Sequence, residues 1–401
     1  MVLGKLRSND VFKPGSFPKY TYVSRMSAGF NFTYELRLTQ AMNTPGYLTS
    51  IIGPSKTGKT VLSEKVIGIE NIVSLTGSDF KDGMEFWSIV ANKVGLSLEG
   101  EYSETASLKG TDTNPEDKSV STKERFVSSK DKVIQHFEEN NLVLVIDDFH
   151  YAPEKLQLDI AYQLKDVIRR EFKAVVISLP HRADDAIRKN PDLSGRLNLI
   201  NIEPWQENDL KEIAVTGYGQ LGIEISDQFA SRMALESLTS PQLMQSICLN
   251  LAIILKTDEE DIKKINDQKK LEECFRFTTS NLPYQEVVKK LMAGPPTRGQ
   301  RRKKYQLESG NEEDIYYLLL KAIALDPPVV RISLDEMKER IDRLTTGSKE
   351  KIERAKIRDT LQKIHDIMLA NGQIYQVFEW KDNQIYILDP LFLFYLRWGT
   401  Y

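Results

Sequence analysis

Only two cysteines, Cys248 and Cys274, occur in 401 residues. Two thiols cannot build a disulfide framework, and these two lack the paired spacing of a zinc site. A reducing, intracellular setting is expected, with both thiols as ordinary core or boundary residues. Long apolar runs are also missing: Leu249 to Leu255 and Leu391 to Leu396 fall far short of the roughly 20 residues needed to cross a bilayer. Met1 to Gly15 carries charge and a Pro-Gly turn where a signal peptide would need a continuous apolar stretch. The expectation is a cytoplasmic protein with no membrane partner. Nor does one sign of charge dominate, since 54 Lys+Arg stand against 57 Asp+Glu for a net charge of −3. That balance excludes a globally basic coat for nucleic acid but leaves room for a local basic patch. With 41% apolar residues, the chain can bury a core in each of the two to three domains its length suggests.

Short apolar runs at 47–52, 71–75, 142–146, 174–179 and 197–202 read as buried strands. Helical patterns at 61–67, 83–94, 153–170 and 182–189 separate them, and this alternation implies a parallel sheet covered on both faces. A polar stretch over 98–129, with Asn114-Pro115 in its middle, reads as a surface insertion, either mobile or a small hairpin. After Glu207 the strands stop, and helices at 207–221, 226–237 and 241–255 suggest a helical lid over 207–288. Lys289 to Lys304 holds Gly294-Pro295-Pro296 and seven cations without an acid, and 289–310 reads as an exposed basic linker. Helices at 312–324, 333–344 (Ser333 as N-cap, Glu336 three residues on) and 349–370 follow. A hairpin around Lys381-Asp382-Asn383 and a last helix from Pro390 then make 311–401 a winged helix-turn-helix candidate.

The chemistry is concentrated in Gly53-Pro54-Ser55-Lys56-Thr57-Gly58-Lys59-Thr60, followed by Val61, which fits GxxxxGK[ST] at every fixed position. Glycines at both ends let the backbone curl so that its N–H groups face phosphate oxygens, and the helix that follows presents its positive end to the same anion. Lys59 is then the cation for the β and γ phosphates, and the Thr60 hydroxyl a Mg²⁺ ligand. A second requirement is acid at the end of a buried strand. Leu142-Val143-Leu144-Val145-Ile146-Asp147-Asp148 supplies Asp147 for the metal shell and Asp148 as candidate general base. Aspartate is shorter than the glutamate many ATPases use at that place, which favours slow hydrolysis or a nucleotide held as a switch ligand.

With these motifs the chain resembles P-loop ATPases of the additional-strand branch, within the AAA+ and STAND superfamilies, and in particular archaeal-type ATPases and origin-recognition-like proteins with a winged helix after the lid. Tyr22-Val23-Ser24-Arg25, Val145 to His150, Asp192 to Leu197, Thr239-Ser240-Pro241 and the terminal Leu388-Asp389-Pro390 to Trp398 carry the likeness beyond the phosphate loop. The resemblance implies an α/β P-loop NTPase sheet with a helical lid and C-terminal winged helix, and ATP with Mg²⁺ as cofactors. It implies adenine contacts from Tyr22 and Val23, and a polar sensor at Ser178 or His181. Arg196 would reach a neighbouring subunit's γ-phosphate in a homo-oligomer. His150 resembles the histidine that follows paired acids in several STAND ATPases. Where many AAA+ proteins place a lid arginine, this chain has Ser240-Pro241-Gln242. The lid would therefore sense nucleotide through the Pro241 turn, as a switch more than as a motor.

Three readings follow. The first is an ATP-binding and ATP-hydrolysing regulatory switch acting on a separate effector protein. The second is a DNA-associated ATPase of the initiator or transposition-regulator kind, contacting duplex DNA through Arg298, Arg301, Arg302, Lys303, Lys304 and the winged helix. The third is a non-hydrolysing adaptor in which nucleotide is structural.

Overall fold

The computed structural model describes residues 6–401 except 28, 82, 84, 97–98, 106–120, 128–129, 180–192, 194, 298, 300, 346–350 and 371–376. Its contacts divide it into two units: residues 26–53 with 59–203, and residues 1–25 with 54–58 and 204–401.

The first unit is built on five parallel strands: β1 (Leu48–Ile52), β2 (Ile72–Thr76), β5 (Val143–Asp147), β6 (Ala174–Ser178) and β7 (Leu197–Asn201), in the order β2-β5-β6-β1-β7. The remaining two, β3 (Glu99–Thr105) and β4 (Ser121–Val127), form an antiparallel hairpin, so of the two forms expected for the polar insertion the chain adopts the hairpin. Alternation along each central strand feeds two cores. Leu48, Leu144, Ile146 and Val176 face one set of helices, while Ile51, Val145, Val175 and Ile177 face another. Their apolar character on both faces is what made the strands readable as uninterrupted runs. Helices Lys59–Ile67, Phe86–Lys93, Lys130–Glu139 and Glu154–Ile168 cover the sheet. The helix expected at 182–189 lies outside the described residues.

The second unit contains the expected helices Glu207–Gln220, Asp227–Glu236 and Pro241–Ile254. Two more, Gln268–Thr279 and Gln285–Ala293, follow in a stretch for which the sequence reading specified no elements. Strand pairing does not stop at Glu207, because Glu224–Ile225 pairs in parallel with Lys264–Ile265. The basic stretch is also more structured than a linker. Lys289 and Lys290 end a helix, and Lys304–Gln306 pairs with Glu312–Asp314, which delays the next helix to Ile315–Ile323. Helices Leu334–Leu344 and Arg354–Ala370 accompany a three-stranded sheet of Arg331–Ser333, Gln384–Ile387 and Phe378–Lys381. Ser333 caps its helix as expected, accepting from the Glu336 amide, and Asp382 and Asn383 form the wing turn with left-handed backbone.

One continuous core runs through lid and winged helix. At its centre the fully buried Glu236 carboxylate accepts from Arg397 Nε (2.9 Å), Arg397 Nη2 (2.8 Å) and the Trp398 indole (2.8 Å). Cys248 and Cys274 are both buried in this core, and burial pushes the Cys274 thiol up to about 12. Among the described residues no helix is long and apolar enough to cross a membrane.

Candidate nucleotide site

The loop starts where β1 ends. Gly53 donates its amide to the Ser178 carbonyl at the tip of β6 (3.4 Å), and the outgoing chain after β7 crosses directly over it. A Cβ on Gly53 would lie 2.7 Å from the Ile202 carbonyl oxygen and 2.9 Å from Ile202 Cβ. The first glycine of the motif is therefore required by a close backbone approach. Further along, Lys56 (φ +62°) and Gly58 (φ +88°) adopt left-handed backbone. Left-handed residues of this kind are what allow a loop to turn its amides toward an anion.

Helix Lys59–Ile67 carries the two motif side chains. Lys59 is buried, and its Nζ donates to the Gly53 carbonyl at 2.9 Å. Burial lowers its pKa to about 8, with Asp147 and Asp148 opposing the shift. The Thr60 hydroxyl donates to Asp147 Oδ2 at 2.5 Å, although β6 lies between β1 and the strand that ends in Asp147. Asp147 Oδ1 accepts from the Asp148 amide at 2.8 Å, so both its oxygens are fixed in direction. Asp148 sits in left-handed backbone (φ +47°), which turns the chain out of the strand. Partial burial, then the Asp147 charge, raise the Asp148 pKa, and Lys59 opposes them. Burial and the Asp147 charge likewise raise the Glu64 pKa, one turn beyond Thr60.

The oxygen set suits Mg²⁺. One hydroxyl and one carboxylate touch each other at the loop, and among the described residues no cluster of three or more His, Cys, Asp or Glu could hold a metal by itself. Magnesium prefers such a partial site, completing its shell with water and substrate phosphates. A parallel sheet in this strand order, a glycine-bounded loop between β1 and a helix, and a strand-end aspartate bonded to the motif threonine decide the architecture. The fold is that of a P-loop NTPase.

Similarity to solved structures runs nearly the length of the chain at low identity. It covers 96% of this chain and 94% of a Cdc6 protein of Pyrobaculum aerophilum, at 14% identity and TM-score 0.44. For a Walker-type ATPase of Pyrococcus abyssi the figures are 90%, 94%, 13% and 0.47. For the RuvB Holliday junction branch migration motor of Thermotoga maritima they are 85%, 84%, 14% and 0.37. No protein family and no curated protein matches the sequence.

The other expected residues are dispersed. Ser178 is buried beside Ile52 at the loop's start, whereas His181 lies outside the described residues. His150 is half-buried and packs its ring against Tyr151 at 4.2 Å. Arg196 precedes β7 and accepts from the Leu48 amide with its carbonyl, at the end of the sheet opposite the phosphate loop. In the second unit Tyr22 stacks on Phe17 (5.9 Å), Val23 is buried in the lid core, and Pro241 opens a lid helix. Gln245, one turn beyond Pro241, was not singled out in the sequence. It donates to Thr21 Oγ1 (2.7 Å) and accepts from the Lys13 amide (3.0 Å), tying the segment before Tyr22 to the lid.

The basic stretch needs a correction. Arg302, grouped above with the cations for DNA phosphate, is half-buried, pairs with Asp314 (3.1 Å) and stacks on Tyr316 (4.5 Å). Its charge is already used inside the protein. Arg298 lies outside the described residues, and Arg301, Lys303 and Lys304 are exposed. On the long helix of the winged module Arg354 pairs with Asp335 (2.9 Å).

Proposed function

We propose that this protein binds Mg-ATP and hydrolyses it slowly as a regulatory switch. The observation that carries the reading is the Thr60–Asp147 hydrogen bond at the foot of a loop whose lysine is already buried and directed inward. Loop amides and Lys59 hold the phosphates, while Thr60 and Asp147 hold Mg²⁺, which supplies charge neutralisation when bound. Asp148 orients the attacking water and accepts its proton at the carboxylate as the water oxygen bonds to the γ-phosphorus and the bridging bond to the β-phosphate breaks. A raised pKa suits it to that exchange. Tyr22 and Val23 line the adenine, and the Pro241 turn carries the lid's response. Arg196 lies at the end of the sheet opposite its own loop, and we assign it to a neighbouring molecule's nucleotide in a homo-oligomer.

Titration of fluorescent Mg-ATP against wild type and Lys59→Ala tests the site: binding is expected in the first and none in the second, and equal affinity would refute it. Single-turnover phosphate release then separates switch from adaptor. Asp148→Asn should slow release by about 10²-fold, the lower part of the range for general-base removal, and unchanged release would leave nucleotide as a structural ligand only.

A further inference from the structure

We propose that Trp205 is a positioning residue of the phosphate loop, acting through the Thr57–Gly58 peptide; the inference rests on the nucleotide reading above. The Trp205 indole N–H donates to the Thr57 carbonyl at 2.9 Å. Elsewhere in the loop the Pro54 carbonyl accepts from the Thr57 hydroxyl (2.9 Å) and the Gly53 carbonyl from Lys59 (2.9 Å), both partners lying within the motif. The Thr57 carbonyl takes its donor from 148 residues further along the chain.

A trans peptide is a rigid plane whose C=O and N–H point in opposite directions. Holding the Thr57 oxygen outward therefore aims the Gly58 N–H inward, toward the place a phosphate oxygen occupies. The positive φ of Gly58 leaves that peptide with little steric preference of its own, since glycine populates both hands of the backbone. Something outside must set it. Trp205 is itself clamped: the buried Arg25 guanidinium lies over its ring at 4.7 Å, donates through Nε to Asp209 (3.0 Å) and through Nη2 to the Pro204 carbonyl (3.0 Å). The brace therefore runs Asp209, Arg25, Trp205, Thr57 carbonyl. It ties the orientation of one anion-binding amide to the segment that leads from β7 into the lid. Any movement of residues 204–209 is transmitted to the loop without a side chain touching nucleotide.

Trp205→Phe keeps a ring for Arg25 and removes the donor. Trp87→Phe is the control, since the Trp87 indole bonds Gln163 instead (3.0 Å). Two readouts are taken on the full chain. In glycine-labelled protein without nucleotide, the Gly58 amide nitrogen should shift in Trp205→Phe and not in Trp87→Phe, because it reports the hydrogen bond on the preceding carbonyl. With Mg-ATP, the Trp205→Phe protein should need about tenfold more nucleotide, of the order of one lost hydrogen bond, while turnover at saturation stays unchanged. An unmoved Gly58 signal overturns the brace. A shifted signal with wild-type affinity overturns its role in binding. If wild type itself binds no nucleotide, the functional reading fails, while the Gly58 signal still decides whether the indole sets the peptide.

Discussion

Gly77→Ala is the most discriminating single substitution. Gly77 follows β2 in a short 3-10 turn, and a Cβ there would lie 2.3 Å from the Asp148 carbonyl oxygen and 3.0 Å from the Ala152 amide nitrogen. Its φ is not in the left-handed region, so the objection is space and not conformation. Real Cβ contacts essentially never fall below 3.0 Å, so the Asp148 peptide must retreat by at least ~0.7 Å. Both neighbours are backbone atoms, which cannot rotate away as a side chain could. The Asp148 amide is bonded to the Asp147 carboxylate, so the displacement falls on the pair of acids. A misplacement near 1 Å costs on the order of 10²-fold in rate, and overpacking costs about 1–3 kcal/mol of stability. Lys59 and Thr60 are not in its way, so Mg-ATP affinity should fall less than release, and only through the shift of Asp147. Single-turnover phosphate release, fluorescent nucleotide titration and thermal melting read the three effects separately. Gly219→Ala, where a Cβ meets nothing within 4 Å, is the control and should not lose stability. Wild-type release together with an unchanged melting temperature in Gly77→Ala would refute the reasoning.

Above its pKa of about 8 Lys59 loses the charge that phosphate needs, so nucleotide affinity should fall toward tenfold per pH unit between about 8 and 10; calorimetric titrations that give a flat profile would contradict this. The sign for folding is the reverse. Unfolded lysine keeps its proton up to 10.5, so Lys59 penalises the fold below about pH 8 and the penalty is relieved as pH rises through that window. In denaturant melts Lys59→Met should remove that rise. Glu236→Ala removes the bidentate carboxylate from the buried Arg397, leaving it Asp326 and the Ala324 carbonyl, and also strips the Trp398 indole of its acceptor. The loss should be about 3 kcal/mol, the lower end for breaking a buried pair, read as a lower urea midpoint; a loss under about 1 kcal/mol would mean the pair is dispensable. Asp389→Asn keeps a helix N-cap but removes the charge that holds Lys56 Nζ at 2.9 Å. Mg-ATP should then bind several-fold tighter, and weaker binding would show that the pair supports the loop instead of competing for it.

Legibility in the sequence followed the range of the forces involved. Ser333 with Glu336 marked a helix start because a cap is settled within four residues, and Asp382-Asn383 marked the hairpin because a tight turn is equally local. Helices Gln268–Thr279 and Gln285–Ala293 were equally legible in principle, since Leu271, Cys274, Phe275, Thr278 and Thr279 recur at helical spacing and Val287, Val288 and Leu291 share one face. Arg302 reads as one cation in a run, because nothing local announces that Asp314 and Tyr316 will take it.

The phosphate loop, the strand that ends in Asp147 and the alternation that makes a parallel sheet could all be read from residue order, since each depends on neighbours within about one turn or one strand. The need for Gly53 and Gly77 to lack side chains, the meeting of Trp205 with the Thr57 carbonyl, and the closure of Glu236 on Arg397 came from the folded chain. Those requirements arise where segments far apart in the chain approach within van der Waals or hydrogen-bond distance, and spacing along the chain carries no record of that approach.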